Sequence, residues 1–489
     1  MKKIISLAFA ALLMASCSED TMDNINKDNA NPPVDKVPAR LQITDAIMST
    51  GFTTTSGAYA WYLSSITEQE FGSGNNQLMK VELRNANELA SSTTYNNEWN
   101  GTYSTLMNLK QIIAKTSPEG TSTDAGQTDI LGMAQVLTAL NFGVLTDLHG
   151  DIPCSEALQG QNNIQPKLDA QKDVYDYIFK TLDDAIANLS SVVGTETANA
   201  AEQDILFGND NQAWLASAYA LKARYLLHTM VQNPSVLPQV KEACNKAIEL
   251  GFPGMYITSF NGVTCDNPWS AYVWSRYYTG CSSTVVNIML DTNDPRLMAY
   301  CYDYSDEGDG SGRVYFNPGD EEGAKESAMD YYPLWLNNGD QSIQLMSEAE
   351  LYFILAEVQA RLGEDATEAF QNAVAASFAD YENMFGFDFG AANFIASFAT
   401  VDLKTIMVQK YISQIRDEQI ETYNDLRRCM ALGEEYVKMT NPYNNQSGIN
   451  RWPHLLPYGN SSVISNAKIK EAYGDGTYIF TKKAWLFNK

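Results

Sequence analysis

Residues 344–381, QLMSEAELYFILAEVQARLGEDATEAFQNAVAASFADY, read as two helices joined by a tight turn, and the rest of the chain is organised around them. Ser347 followed three residues later by Glu350 has the form of a capping box, in which hydroxyl and carboxylate satisfy N–H groups that a helix start leaves unpaired. Leu351, Leu355, Val358 and Leu362 then recur at helical spacing, and Gly363 supplies a C-terminal stop. The second helix carries Ala369, Ala373 and Ala376 at i, i+4 and i+7, small residues that allow its neighbour to approach closely. This is the layout of a tetratricopeptide repeat, matched with one residue of slack.

A lone hairpin of this kind cannot bury its apolar face, so others are expected. Residues 212–230, QAWLASAYALKARYLLHTM, break at Asn233 and Pro234 and resume as VLPQVKEACNKAIELG, where Ala243, Ala247 and Leu250 repeat the spacing. A third pairs Ile130–Phe142 with Gln171–Leu189 across a longer loop. Trp99, Tyr103, Leu106, Leu109 and Ile113 keep the same period, which makes Trp99 a core residue. Between Leu403 and Gly433 lies a further long amphipathic run. The fold class is therefore mostly α, a scaffold of tetratricopeptide-like hairpins.

The first residues, MKKIISLAFAALLMASC, have two lysines, an apolar run and small residues leading to Cys17, the design of a secretory leader over 1–16. The setting of Cys17 resembles a lipobox, in which the cysteine is acylated and becomes the new N-terminus. Residues 17–38 are a polar, Asn- and Pro-rich tether, and 39–489 read as one large unit. A net charge of −26 excludes nucleic acid and docking on anionic lipid through a basic face, leaving the lipid anchor as the membrane contact.

From residue 252 to 340 the helical period fades into a long insertion rich in Gly, Asp, Tyr and Trp. Irregular insertions on a rigid scaffold are where binding usually resides. The candidate ligand-binding residues are its rings and those of an earlier aromatic loop: Trp61, Tyr62 and Phe71; Trp269, Tyr272, Trp274, Tyr277 and Tyr278; Tyr331, Tyr332 and Trp335. Flat rings stack on the apolar faces of sugars and also receive peptide side chains. Cys265 and Cys281 bracket part of this region and could bridge.

Catalytic signals are weak. The chain has three histidines and no HExxH, GxSxG, P-loop or GxGxxG, so no catalytic residue and no cofactor is expected. Asp147, His149 and Asp151 alternate in DLHGD, a pattern more often a hydrogen-bonded turn than a metal site. Asp303, Asp306, Glu307 and Asp309 crowd oxygen ligands among glycines, but in an order unlike an EF-hand; a solvated acidic loop is the stronger reading over calcium. A carboxylate pair for glycan hydrolysis leaves no spacing rule in sequence, so a surface hydrolase stays as an alternative.

Together FGVLTDLHGDIPCSEAL, DVYDYIFKTLDDAIANL, DILFGNDNQAWLASAYALKARYLLH, LMSEAELYFILAEVQARLG, IMVQKYISQIRDEQIETYNDLRRC and RWPHLLPY resemble the SusD/RagB family of outer-membrane nutrient-binding lipoproteins, and most closely its SusD-like second subgroup. The resemblance implies a helical protein facing the cell exterior as the lid of a SusC-like, TonB-dependent β-barrel transporter. It would capture oligosaccharides or, as in the RagB branch, oligopeptides, and hand them over without chemistry. Family ligand residues form no sequence motif, so the aromatic candidates rest on the loop composition alone.

Overall fold

A computed structural model describes residues 36–74, 77–276, 278–320, 323, 331–440 and 452–489. The leader, Cys17, nearly all of the tether, and Tyr277 lie outside these residues. The protein is mostly α-helical. Its scaffold comprises α1 (Ala39–Ser49), α2 (Ala58–Ile66), α3 (Asn96–Thr116), α4 (Thr128–His149), α5 (Gln171–Ser190), α6 (Asn211–His228) and α7 (Leu237–Glu249). After the insertion, which carries α8 (Pro268–Arg276) and α9 (Ser283–Asp291), come α10 (Glu348–Leu362), α11 (Thr367–Phe385), α12 (Leu403–Ser413) and α13 (Gln419–Leu432).

The three expected hairpins form: α4 packs on α5, α6 on α7, and α10 on α11, while α7 also packs on α10. A contiguous set of buried apolar side chains, from Ala39 to Phe487, fills the space between them. Helix α4 is long and apolar enough to cross a membrane, yet 94% of its apolar window is buried inside the fold, which makes it the central core helix. Trp99 is buried on α3, as its spacing indicated.

Four readings of the sequence need correction. The hydroxyl half of the capping box is present, Glu350 N donating to Ser347 Oγ at 3.0 Å. The carboxylate half is not: Glu350 turns to Arg224, and Glu418 accepts from Ser347 N at 2.7 Å instead. Gly363 does end α10 in the left-handed conformation (φ +74°), but Leu362 beside it faces solvent, and the buried stripe ends four residues earlier at Val358. The long amphipathic run is two helices, broken before α13 at Asp417, which takes φ +60°. Its carboxylate accepts from Ser56 Oγ at 2.9 Å and Gln344 N at 3.2 Å, contacts that hold a short acidic residue in a backbone region it tolerates.

The fourth concerns the regions read as loops. Residues 58–66 are helix α2, so Trp61 and Tyr62 stand on a helix; α4 continues through Asp147 and His149; and the insertion contains α8 and α9. Two short antiparallel pairings fasten the insertion. Strand β1 (Phe71–Gly72) pairs with β3 (Thr279–Gly280), and β2 (Met255–Ile257) pairs with β4 (Ile343–Met346), which leads into α10.

Candidate functional site: an exposed aromatic strip on the insertion

Helix α8 divides the aromatic residues. Asn267 precedes it, accepting from Trp269 N at 2.9 Å and donating through Nδ2 to Gln341 O at 3.1 Å, so the helix start is tied to the far end of the insertion. One face of α8, carrying Trp269, Ser270 and Val273, is buried. The Trp269 ring lies 5.5 Å from Trp335 and 6.1 Å from Trp61, centroid to centroid. Trp61 in turn stacks on Tyr272 at 4.0 Å, and Tyr278 meets Tyr272 edge-on at 6.1 Å. This inner layer joins α2 to α8.

Several predicted binding rings are therefore core residues. Phe71, Trp269 and Trp335 are completely enclosed. Phe71 stacks on Phe316 at 5.0 Å, and the buried Tyr62 packs on Tyr95. No face of Phe71, Trp269 or Trp335 is open to a ligand. Trp61, Tyr272 and Tyr278 are half-buried in the same layer.

The opposite face of α8 presents Trp274, 53% exposed. Its indole centroid is 6.4 Å from Tyr332; the adjacent Tyr331 is 6.2 Å from Tyr304; and Tyr304 is 5.0 Å from Tyr302. Tyr302 and Tyr304 are 48% and 54% exposed. Five rings from three separate segments thus line one strip, Trp274 with Tyr332 and Tyr331 with Tyr304 and Tyr302; Trp274, Tyr302 and Tyr304 are exposed, and the sequence neighbours Tyr331 and Tyr332 are half-buried. Three of the five were identified in the sequence; Tyr302 and Tyr304 were missed. Their signal was the alternation YDY, which in extended backbone sends both rings to one face and the intervening Asp303 to the other.

Asp303 shows why these tyrosines hold their place. Its carboxylate accepts from Ser305 N (3.0 Å), Ser305 Oγ (2.7 Å), Gly310 N (2.6 Å) and Gly312 N (3.0 Å), while Asp303 bridges Arg313 through the backbone. Partial desolvation raises its pKa, but these donated bonds outweigh it and hold the carboxyl at about 2. Asp309 is likewise occupied, by Ser311 N at 2.9 Å. The acidic loop is a turn organised by its own backbone, so Asp303, Asp306 and Asp309 do not converge as a calcium cage.

The DLHGD residues point three ways. Asp151 accepts from Gln171 N at 3.0 Å, at the start of α5. His149 meets Tyr59 Oη at 2.8 Å and Leu456 O at 3.1 Å, and burial holds its imidazole neutral, with a pKa lowered to about 3. Asp147 instead joins His228, whose two ring nitrogens face Asp147 Oδ2 (3.2 Å) and Glu421 Oε2 (2.8 Å). Burial alone would lower the His228 pKa; Glu421 and Asp147 overcome it and raise it to about 9. With both nitrogens occupied, and Asp147 also taking the Tyr175 hydroxyl at 2.5 Å, this trio is a closed ion-pair knot and not an open metal site. Cys265 and Cys281 are not bridged.

Comparison with known proteins places this geometry. A family described as SusD-like, starch-binding and associating with the outer membrane matches residues 45–451. The chain belongs to the SusD-like family. A SusD/RagB family protein from Bacteroides thetaiotaomicron shares 31% identity, with 93% of this chain and 99% of that one covered and a TM-score of 0.82. Two more distant SusD homologues share the fold. The one from Bacteroides fragilis is 18% identical over 92% of this chain and 100% of its own, with a TM-score of 0.73. The other, from Flavobacterium johnsoniae and titled chitin-binding, is 19% identical over 92% and 99%, with a TM-score of 0.70. No curated protein matches the chain. The SusD-like hairpins contribute none of the five rings in the strip; the insertion supplies all of them.

Proposed function

We propose that this protein is a cell-surface lipoprotein, anchored through Cys17, that captures oligosaccharides and delivers them to a SusC-like TonB-dependent barrel on which it sits as a lid. The observation that carries the ligand half is the exposed strip from Trp274 to Tyr302. Aromatic rings held outward, with their neighbours packed behind them, stack on the apolar C–H faces of pyranose rings at little ordering cost. A net charge of −26 disfavours acidic polysaccharides and favours neutral chains. The chitin-binding homologue and the starch-binding family description support a glycan over a peptide. The membrane half rests on the leader, the lipobox and the family's association with the outer membrane.

The test is calorimetric titration of residues 36–489 with neutral oligosaccharides and, separately, mixed oligopeptides, on the unaltered protein and on Trp274→Ala with Tyr304→Ala. Glycan binding that the two changes weaken about tenfold or more, about 1.4 kcal/mol, is expected. Binding of peptides alone overturns the ligand assignment. Delivery is checked separately, by whether a barrel co-purifies with the full-length chain from outer membranes.

A further inference from the structure

Cys301 immediately precedes Tyr302, and Cys281 immediately follows β3. The two segments meet with a third. Cys281 Sγ donates to Tyr300 O at 3.2 Å, Ser282 N donates to Tyr300 Oη at 2.7 Å, and Phe316 N donates to Cys281 O at 2.9 Å. Cys301 Sγ donates to Val314 O at 3.4 Å, on the same returning strand that bridges Ser282 through Phe316. Both side chains are about 1% exposed, and the Cys281 thiol sits against the carbonyl of the residue that directly precedes Cys301. Cys265, the bridging partner read from the sequence, is not part of this junction.

We propose that Cys281 and Cys301 form a disulfide, closed during folding by exchange with a disulfide-bearing oxidant such as a protein disulfide or glutathione disulfide, and that this bond fixes the base of the Tyr302–Tyr304 segment. The occurrence of the bond in cells rests on the cell-surface reading above, since cytoplasmic thiols are kept reduced. In the first step a protein thiolate attacks the oxidant, breaking its S–S bond and releasing one thiol. The second cysteine then attacks the mixed disulfide, forming the intramolecular bond and releasing the second thiol. The oxidant gains two electrons, and the two cysteine protons end on its thiols. Because both sulfurs are enclosed in the folded chain, exchange belongs to folding, before the 302–316 segment closes over them.

The decisive experiment refolds the full-length chain from denaturant with glutathione disulfide, alkylates residual thiols under denaturing conditions, and maps the products by mass spectrometry without reduction. A peptide pair linked through Cys281 and Cys301, with Cys265 alkylated, is the expected result. Alkylation of both Cys281 and Cys301, or linkage of either to Cys265, overturns the assignment. Cys301→Ser then leaves Cys281 alkylated, with no new link. Reduction of the bridged protein is expected to speed amide hydrogen exchange across residues 302–316 and not across α10 and α11; unchanged exchange there overturns the fixing role. The same mapping on protein isolated from cells separates the two readings. A pair bridged after refolding but reduced in cells supports the pairing and overturns export to the cell surface.

Discussion

The α10–α11 scaffold and the insertion that runs into it handle their unusual residues in opposite ways. The scaffold takes charges inside. Glu357 on α10 is fully buried and accepts from Arg428 Nη2 at 2.8 Å and Arg361 Nε at 2.8 Å, with Lys410 Nζ at 3.5 Å; Asp425 binds Lys410 at 2.7 Å. The insertion leaves rings outside, while the indoles of Trp269 and Trp335 beneath are sealed. Enclosed charges fix helix positions through many partners each, and removal of any one strands the others. The outward rings have few partners to strand. The enclosed charges are thereby intolerant of change, and the outward rings are freer to vary.

The sharpest way to break this contrast is in the buried set. Glu357→Ala leaves Arg428, Arg361 and Lys410 facing one another without their shared carboxylate and is expected to cost about 3 to 5 kcal/mol. Trp269→Ala, which empties an enclosed indole site between Trp61 and Trp335, is expected to cost a similar ~3 to 5 kcal/mol. Chemical denaturation measures both. A loss below about 1 kcal/mol for either would show that its site is not sealed as described.

The next effect is on pH. His228, raised to about 9, stabilises the fold fully below its ordinary 6.5, and that contribution is lost as pH rises through 9. Burial raises Glu70 to about 8, Glu82 to about 7 and Asp417 to about 6; each prefers its proton in the folded state, so their effect also falls away as pH rises. Glu421 runs the other way. Although burial pushes it up, Arg224 and His228 lower it to about 2, and its contribution is lost as pH falls from 4.5 towards 2. Thermal unfolding is therefore expected to peak near pH 5 and to decline up to pH 9. Glu70→Gln should make that decline shallower; an unchanged slope would remove Glu70 from the account.

How much of this was readable before the structure follows the same divide. The hairpins were legible because apolar period and stop signals are local: Leu351, Leu355, Val358 and Gly363 announce α10 by themselves. The ion network was not, because Glu357 lies 53 residues from Lys410 and 71 from Arg428 in sequence and only tertiary packing makes them neighbours. That packing also diverted Glu350 from its capping role to Arg224. Within the insertion, the start of α8 was in principle visible as Asn267 ahead of Pro268, a capping residue followed by proline in the first turn. Taken as a helix, PWSAYVWSR places Trp269 and Val273 at i, i+4 on one side and Trp274 on the other. Composition alone marked every ring as equivalent.

The smallest predicted effect on stability tests that partition directly. Trp274 and Trp269 are five residues apart on one helix, have the same side chain, and differ in which face of α8 they occupy. Trp274→Ala removes a ring that is half in solvent and meets Tyr332 only at 6.4 Å, so its unfolding free energy should stay within about 0.5 kcal/mol of the parent. Its glycan affinity should fall even so, because what the ring offers is its free face. A Trp274→Ala protein that is markedly destabilised would place this indole in the sealed layer and would shorten the strip to its four tyrosines. One that keeps both stability and glycan binding would move the site off α8 altogether, leaving Tyr302 and Tyr304 as the rings to change next.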